Sequence, residues 1–458
     1  MSRAMRLREN DLDTPEKRGN YTISIVGCGR MGLPTACLFA EAGFRVICVD
    51  ADPYVVNMVK KGVSPFAGPG LERLLKKNLR EHRLTATVVM EESVPFSNII
   101  VFVVPALIDQ KKRSDYSYLE KACRDAGLNL QSGTLIIIES TLGPGITETL
   151  VKDTFEMSSG LEAGVDFGLA YSPIRATAGK ALEDIASYPR VIGAIDKESL
   201  EAAKAVLGTM VKGGIIEVSS IKTAEAIKLF ENLYRDTNIA LANELAQFCE
   251  KAGIDFIEAR EAANTQPYCH LLIPGIVSGH IGKDPHLLLE EAENLGVRLP
   301  MVTLARKIND ATLKQAFYLL KDALYSCGKS VRRAKVSVLG VSYRPNIKES
   351  RDSLVEELVN ILINKGIKVR VYDPLFSYKE LIGMRYPAER TLTRAVEGAD
   401  CIIIAVGHDR FTRLNLRKIG LLVKKPAAIV DLGHVLNPFI VEKQGLVYRG
   451  LGRGVWKK

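Results

Sequence analysis

The stretch from Tyr21 to Asp50 sets the strongest limit on how this chain can fold. It reads YTISIVG, then GCGRMG, then LPTACLFAEAG, then FRVICVD: an apolar run, a glycine turn, a helix-like segment and a second apolar run. Short apolar runs flanking a helical pattern are the mark of parallel strands covered on both faces, so the chain opens as a β-α-β unit. Gly27, Gly29 and Gly32 follow the first strand directly and precede the helix. Glycines at this spacing permit a tight turn, let the backbone approach a pyrophosphate and bring helix against strand, while the helix N-terminus supplies a positive field. Arg30 and Met31 lie between them and join the candidate cofactor-binding set. Asp50 ends the second strand, 50 − 32 = 18 residues past the last glycine, where a carboxylate can accept from both ribose hydroxyls. It would repel a 2′-phosphate, so the pattern favours NAD over NADP.

Further buried-strand patterns at 98–104 and 134–140 extend this into one doubly wound α/β domain over 20–212. From Ile221 to Ala252 apolar residues recur at helical spacing with no Gly or Pro. That predicts a helix of about 30 residues, about 45 Å long, opening a central helical and dimerisation region over 213–330. A second β-α-β pattern begins at KVSVLGVSY (335–343), reaches KVRVYDP (368–374) and continues through CIIIAV and AAIVDLG. The expected fold class is therefore α/β, with two Rossmann-like lobes (20–212 and 331–452) joined by a long central helix, and charged, flexible tails at 1–19 and 453–458.

Other functions are disfavoured. The net charge of +9 comes from Lys and Arg interspersed with Asp and Glu, which describes a solvated mixed surface and not a nucleic-acid face. No apolar run reaches a membrane span and the N-terminal residues lack a secretion-signal core, so a cytoplasmic protein without a membrane partner is expected. The eight cysteines are dispersed without a C-x-x-C pair and the six histidines form no cluster, so no metal is expected.

Two further groups invite chemistry. Ser140 and Thr141 end a strand and open the loop STLGPGIT at the carboxyl edge of the sheet, where hydroxyls can hold a nicotinamide or order a water, or simply form a turn. Lys228 and Asn232 stand four residues apart on the long helix and can reach one small ligand together, although such a pair is often plain surface.

Together these segments resemble the nucleotide-sugar dehydrogenases of the UDP-glucose/GDP-mannose dehydrogenase family, which oxidise a sugar C6 alcohol to a uronic acid. GCGRMGLP, STLGPGIT, YSPIRATAGKAL, EAIKLFENLYRDTNIALANELA, AANTQPY, KDP and VLGVSYRPNIKESRDS carry the resemblance from about Tyr21 to Gly452. AANTQPY and the DP element look most like the branch acting on UDP-N-acetylmannosamine or UDP-N-acetylglucosamine. The resemblance implies a homodimer or larger homo-oligomer, NAD in the first lobe and a UDP-sugar on the second. It implies catalytic roles for Thr141, Lys228, Asn232 and Asp284, a cofactor contact from Arg351, whose fork suits a pyrophosphate, and substrate contacts from Arg175, Tyr268 and Arg344.

The chain departs from the family at one loop. In the family a cysteine captures the aldehyde formed by the first hydride transfer, a second hydride leaves, and water cleaves the resulting thioester. In PGIVSGHIGKDP (274–285) the residue four before Asp284 is His280, and no alignment of the loop supplies a thiol. Imidazole makes a labile acyl group but is a competent base for an alcohol proton. Ile174 stands where the family carries a glutamate that assists thioester hydrolysis, Ala106 and Leu107 replace a threonine and a proline, and Val277 and Ser278 replace glycines. His280 thus joins the candidate catalytic set. The expected reaction is NAD-dependent oxidation of a UDP-linked sugar by at most one two-electron step, giving an aldehyde or ketone, or a redox-neutral epimerisation; full four-electron oxidation by another route and a catalytically silent paralogue with a regulatory role are the alternatives.

Overall fold

The computed structural model describes residues 7–66, 68–109, 111–177, 179–351 and 353–454. The chain forms two compact units. One comprises the residues up to Glu231 together with His286–Val297, and the other Asn232–Pro285 and the residues from Arg298 onward.

In the first unit eight strands form one sheet, in the order Ile215–Glu217, Arg190–Ala194, Gly168–Tyr171, Leu135–Ile138, Ile99–Phe102, Thr22–Val26, Arg45–Val49 and Leu84–Thr87. All neighbours run parallel except the antiparallel pair Gly168–Tyr171 and Arg190–Ala194. Strands such as Ile99–Phe102 and Leu135–Ile138 are buried at every position, as a sheet covered on both faces requires. Thr22–Val26 sits where the strand order reverses, so the glycine turn that follows it opens at the crevice such sheets use for ligands.

The second unit repeats the device. Its five strands are parallel in the order Lys368–Tyr372, Lys335–Leu339, Cys401–Ile404, Ala427–Asp431 and Leu446–Gly450. The reversal falls after Lys335–Leu339, and Gly340 turns there with φ +92°, as Gly27 does in the first sheet. Helix Pro300–Ser326 packs its buried side, including Leu313, Leu320 and Leu324, into this sheet's core.

Three expectations need correction. The first sheet runs to Glu217, past the boundary expected at 212, because Ile215–Glu217 pairs with Arg190–Ala194. The N-terminal segment is no loose tail from residue 7 on: Leu7 and Leu12 are buried in the first unit's core, and Thr14 caps the short helix Pro15–Arg18. At the other end Arg453 pairs with Asp255 at 2.9 Å, which docks the segment expected to begin a free tail. Residues 1–6 and 455–458 lie outside the described residues. The predicted helix is present as Ile221–Ala252 and passes from the first unit to the second after Glu231. Among the described residues no helix is long and apolar enough to cross a membrane, and no cluster of His, Cys, Asp or Glu could hold a metal ion.

Candidate functional site

The glycine turn of the first unit has a distinct reason for each glycine. Gly27 adopts φ +92°, and a Cβ there would stand 2.7 Å from the Val103 carbonyl oxygen. A Cβ on Gly32 would come within 1.9 Å of the Gly27 carbonyl oxygen, so only glycine lets helix Gly32–Ala42 start this close to the strand. Gly29 has nothing within 4 Å of its would-be Cβ. Packing does not demand a glycine at that position, whereas a pyrophosphate approaching the backbone would. Arg30 and Met31, both partly buried, complete the turn, and Met31 is the helix N-cap.

Asp50 is held by the turn it serves. One carboxylate oxygen accepts from the Cys28 N–H at 2.8 Å and the other from the Asp52 N–H at 2.9 Å, while the side chain stays partly exposed. Each oxygen keeps lone-pair capacity for a ribose hydroxyl. These residues therefore fit an NAD adenosine and pyrophosphate, and a bound NAD would supply the hydride acceptor.

Three more candidates lie in this unit. Thr141, partly buried, follows the strand Leu135–Ile138 and the residues Glu139 and Ser140. Beneath it Glu139 and Arg190 form a buried ion pair, and Arg190 also donates to Ser172 Oγ at 3.1 Å. Burial pulls the Arg190 guanidinium down to about 9. Lys228 donates to the Ile174 carbonyl oxygen at 2.8 Å. The Ile174 side chain is buried within the apolar core of the sheet. Arg175 is engaged by Glu231 at 2.6 Å and by the Pro189 carbonyl at 3.1 Å. Ala106 is buried, and Leu107 begins a small hairpin in which Leu107–Ile108 pairs with Ser114–Asp115.

The second unit brings Asn232, His280 and Asp284 together. Asp284 is fully buried and accepts from Asn232 Nδ2 at 2.5 Å. His280 opens the helix His280–Asn294, so Asp284 lies one turn on, with 3.9 Å between His280 Nδ1 and Asp284 Oδ1. The His280 side chain is 57% exposed. The loop before it is fastened from behind. Asn243 bonds both the N–H and the carbonyl of Gly275, at 2.8 and 3.1 Å. His434 Nε2 donates to the Pro274 carbonyl at 3.0 Å, and burial holds its imidazole down to about 4 and hence neutral. Val277 is buried, and Ser278 Oγ accepts from the Leu354 N–H at 3.4 Å. These two side chains thus anchor the loop.

Gly279 lies against the Tyr343 ring, next to Arg344, which is partly buried in the loop after Gly340. Arg351 is 69% exposed and lies along Glu349 with both contacts at 3.3 Å. Tyr268 is 92% exposed in the turn after helix Phe256–Ala263.

The sequence reading passed over two groups. Asp373 repeats Asp50, accepting from the Val341 N–H and the Leu375 N–H at 2.7 Å each, a correspondence that KVRVYDP against FRVICVD could have revealed. Glu225 is fully buried one turn before Lys228, and its place on the same helix face was the available signal.

Comparison with known proteins agrees with both lobes. The NAD binding domain of the UDP-glucose/GDP-mannose dehydrogenase family matches residues 21–211, its central domain 222–311 and its UDP binding domain 337–438. A UDP-N-acetyl-D-mannosamine dehydrogenase of Pyrococcus horikoshii is 34% identical over 435 residues, covering 94% of this chain and 99% of its own length. A solved structure of UDP-D-ManNAc dehydrogenase from that organism superposes with a TM-score of 0.88, covering 95% of this chain and all of the other. A UDP-glucose dehydrogenase structure from Pyrobaculum islandicum, 25% identical, gives 0.85 over 96% of this chain and 99% of its own. With three domain models matching in order along it, the chain belongs to the UDP-glucose/GDP-mannose dehydrogenase family and is an NAD-dependent oxidoreductase acting on CH–OH.

Proposed function

We propose that the protein oxidises a UDP-linked N-acetylhexosamine, of the N-acetylmannosamine or N-acetylglucosamine type, by one two-electron step that leaves a carbonyl. The loop around His280 carries this reading. It offers an exposed imidazole one helical turn from a buried carboxylate and no thiol. NAD accepts the hydride from the alcohol carbon. The hydroxyl proton passes to the His280 imidazole, which Asp284 orients and stabilises once charged. Lys228 and Asn232 hold the sugar oxygen, Thr141 contributes its hydroxyl, and Arg344 and Arg351 offer charge to the phosphates. Ile174 gives no carboxylate for hydrolysing an acyl intermediate, consistent with a reaction that forms none. The names of the relatives support the sugar class.

A homodimer or larger homo-oligomer fits the same reading. Tyr234, Leu241 and Phe248 on the long helix, and Met301, Leu304, Tyr318 and Tyr325 on Pro300–Ser326, are exposed, and a second copy would cover them.

Incubation with NAD and a panel of UDP- and GDP-sugars tests the proposal. One NADH per sugar with an aldehyde or ketone product is expected, and His280→Ala should abolish it without changing NAD affinity. Two NADH per sugar with an acid product would sink the single-step reading. Ligand binding with no NADH would mark a silent paralogue, and full turnover in His280→Ala would reduce His280 to filler.

A further inference from the structure

Glu225 is fully buried on the helix Ile221–Ala252, one turn before Lys228. Its two oxygens divide between two amides of the loop that begins at Thr141. Oε2 accepts from the Gly145 N–H at 2.5 Å and Oε1 from the Thr147 N–H at 2.9 Å. These amides stand at the start of the π-helical turn Thr147–Val151, whose first N–H groups have no partner within the turn. Gly145 adopts φ +102° with Lys222 close by, 3.1 Å from a would-be Cβ. From the other side the Tyr116 hydroxyl accepts from the Gly143 N–H at 3.1 Å.

We propose that Glu225 is a positioning residue: its carboxyl fastens the loop carrying Thr141 to the helix carrying Lys228, an assignment that rests on the reading of those two as site groups. A hydroxyl and an ammonium that serve one substrate must keep a fixed separation, and misplacement by about 1 Å costs on the order of 100-fold in rate. Lys228 leans on the Ile174 carbonyl, and Glu225 ties the Thr141 loop to the same helix.

The fastening is also sensitive to pH. Burial pushes the Glu225 carboxyl up to about 7, against the opposing effect of the Gly145 and Thr147 amides, and the nearby Glu148 adds to the rise. Lys222, on its own helix, lies against Gly145 of the same loop, and Tyr116 feels the charges of both Glu225 and Glu290. A released loop would return Glu225 to water and to the ordinary value of 4.5. The fastened state therefore binds the extra proton between those values, and rising pH favours release by up to about tenfold per unit until the curve levels off near 7.

Hydrogen–deuterium exchange of peptides spanning 141–151, from pH 5 to 8 and corrected for intrinsic exchange, reads the fastening without any need for turnover. In the wild type the opening equilibrium should rise across pH 5 to 7 and then flatten. Glu225→Gln, which cannot ionise, should show no such rise, and Glu225→Asp should keep the rise with weaker protection at every pH. The same pH response in Glu225→Gln as in the wild type, or wild-type protection in Glu225→Asp, would overturn the proposal. If the protein turns over a UDP-sugar, Glu225→Gln should lower kcat about tenfold or more while leaving KM for NAD within about twofold. An absence of turnover would count against the oxidoreductase chemistry proposed above, while the exchange data would still decide the role of Glu225.

Discussion

The two lobes build the same turn and put it to different use. In each, a glycine at φ +92° leaves the strand at the point of order reversal, and an aspartate at the end of the next strand accepts two backbone N–H groups. Asp50 keeps part of its carboxylate exposed and has a full G-x-G-x-x-G turn before it. Asp373 is buried and also bonded by His408, with 3.2 Å between Nε2 and the carboxylate, and His408 Nδ1 accepts from the Asn346 N–H at 2.9 Å. Its turn lacks the later glycines, and the next helix starts only at Val355. The same backbone device thus leaves a part-exposed carboxylate in one lobe and makes a buried strut, braced by His408, in the other. The difference lies in what remains for the carboxylate to accept.

Breaking the strut should give the larger effect on stability. Asp373→Ala strands the buried Val341 amide, the part-buried Leu375 amide and a buried imidazole, and losing one side of such a buried pair costs about 3–5 kcal/mol. We expect the second unit to unfold at markedly lower urea while NAD affinity stays within about twofold. Equal loss of NAD affinity would mean that the two turns are not functionally separate. Asp50→Ala should do the reverse. Its bond to the Asp52 N–H is exposed and that to the Cys28 N–H only part-buried, so water can replace the carboxylate, but losing the charged acceptor to the ribose costs about 1.5–3 kcal/mol, or roughly 10- to 100-fold in NAD affinity by calorimetry. Unchanged affinity would remove Asp50 from the site.

The smallest effect concerns acid. Burial alone would raise the Asp373 carboxyl, but His408 and the Val341 and Leu375 amides outweigh it and hold the group below its usual 3.8. A depressed native value means that the stabilisation is present above about 3.8 and is lost as pH falls through the native value. Asp373→Asn should flatten that acid limb in urea titrations of the second unit; an unaltered limb would show that other carboxyls control it.

The patterns legible in the sequence were those carried by local periodicity. Runs such as NIIVFVV and CIIIAV could hardly be anything but buried strands, and GCGRMG could hardly serve another turn. Arg190–Ala194 and Ile215–Glu217 were missed because what makes them strands is pairing at the sheet's far edge, and Ile215–Glu217 is largely exposed. The end of the chain looked like a loose tail because nothing local shows that Arg453 meets Asp255. At the candidate site the family resemblance drew attention to His280 and Asp284, while spacing alone set Lys228 and Asn232 on one helix face. Neither could show that Glu225 reaches two amides some 80 positions back, which depends on contacts distant in sequence, nor that Arg351 turns onto Glu349 two residues away or that Tyr268 stands in solvent.

The burial of Ile174 limits what that position can carry. A glutamate introduced there would set a carboxylate among the apolar side chains of the first unit's core, so it would either stay protonated near neutral pH or unsettle the packing around it.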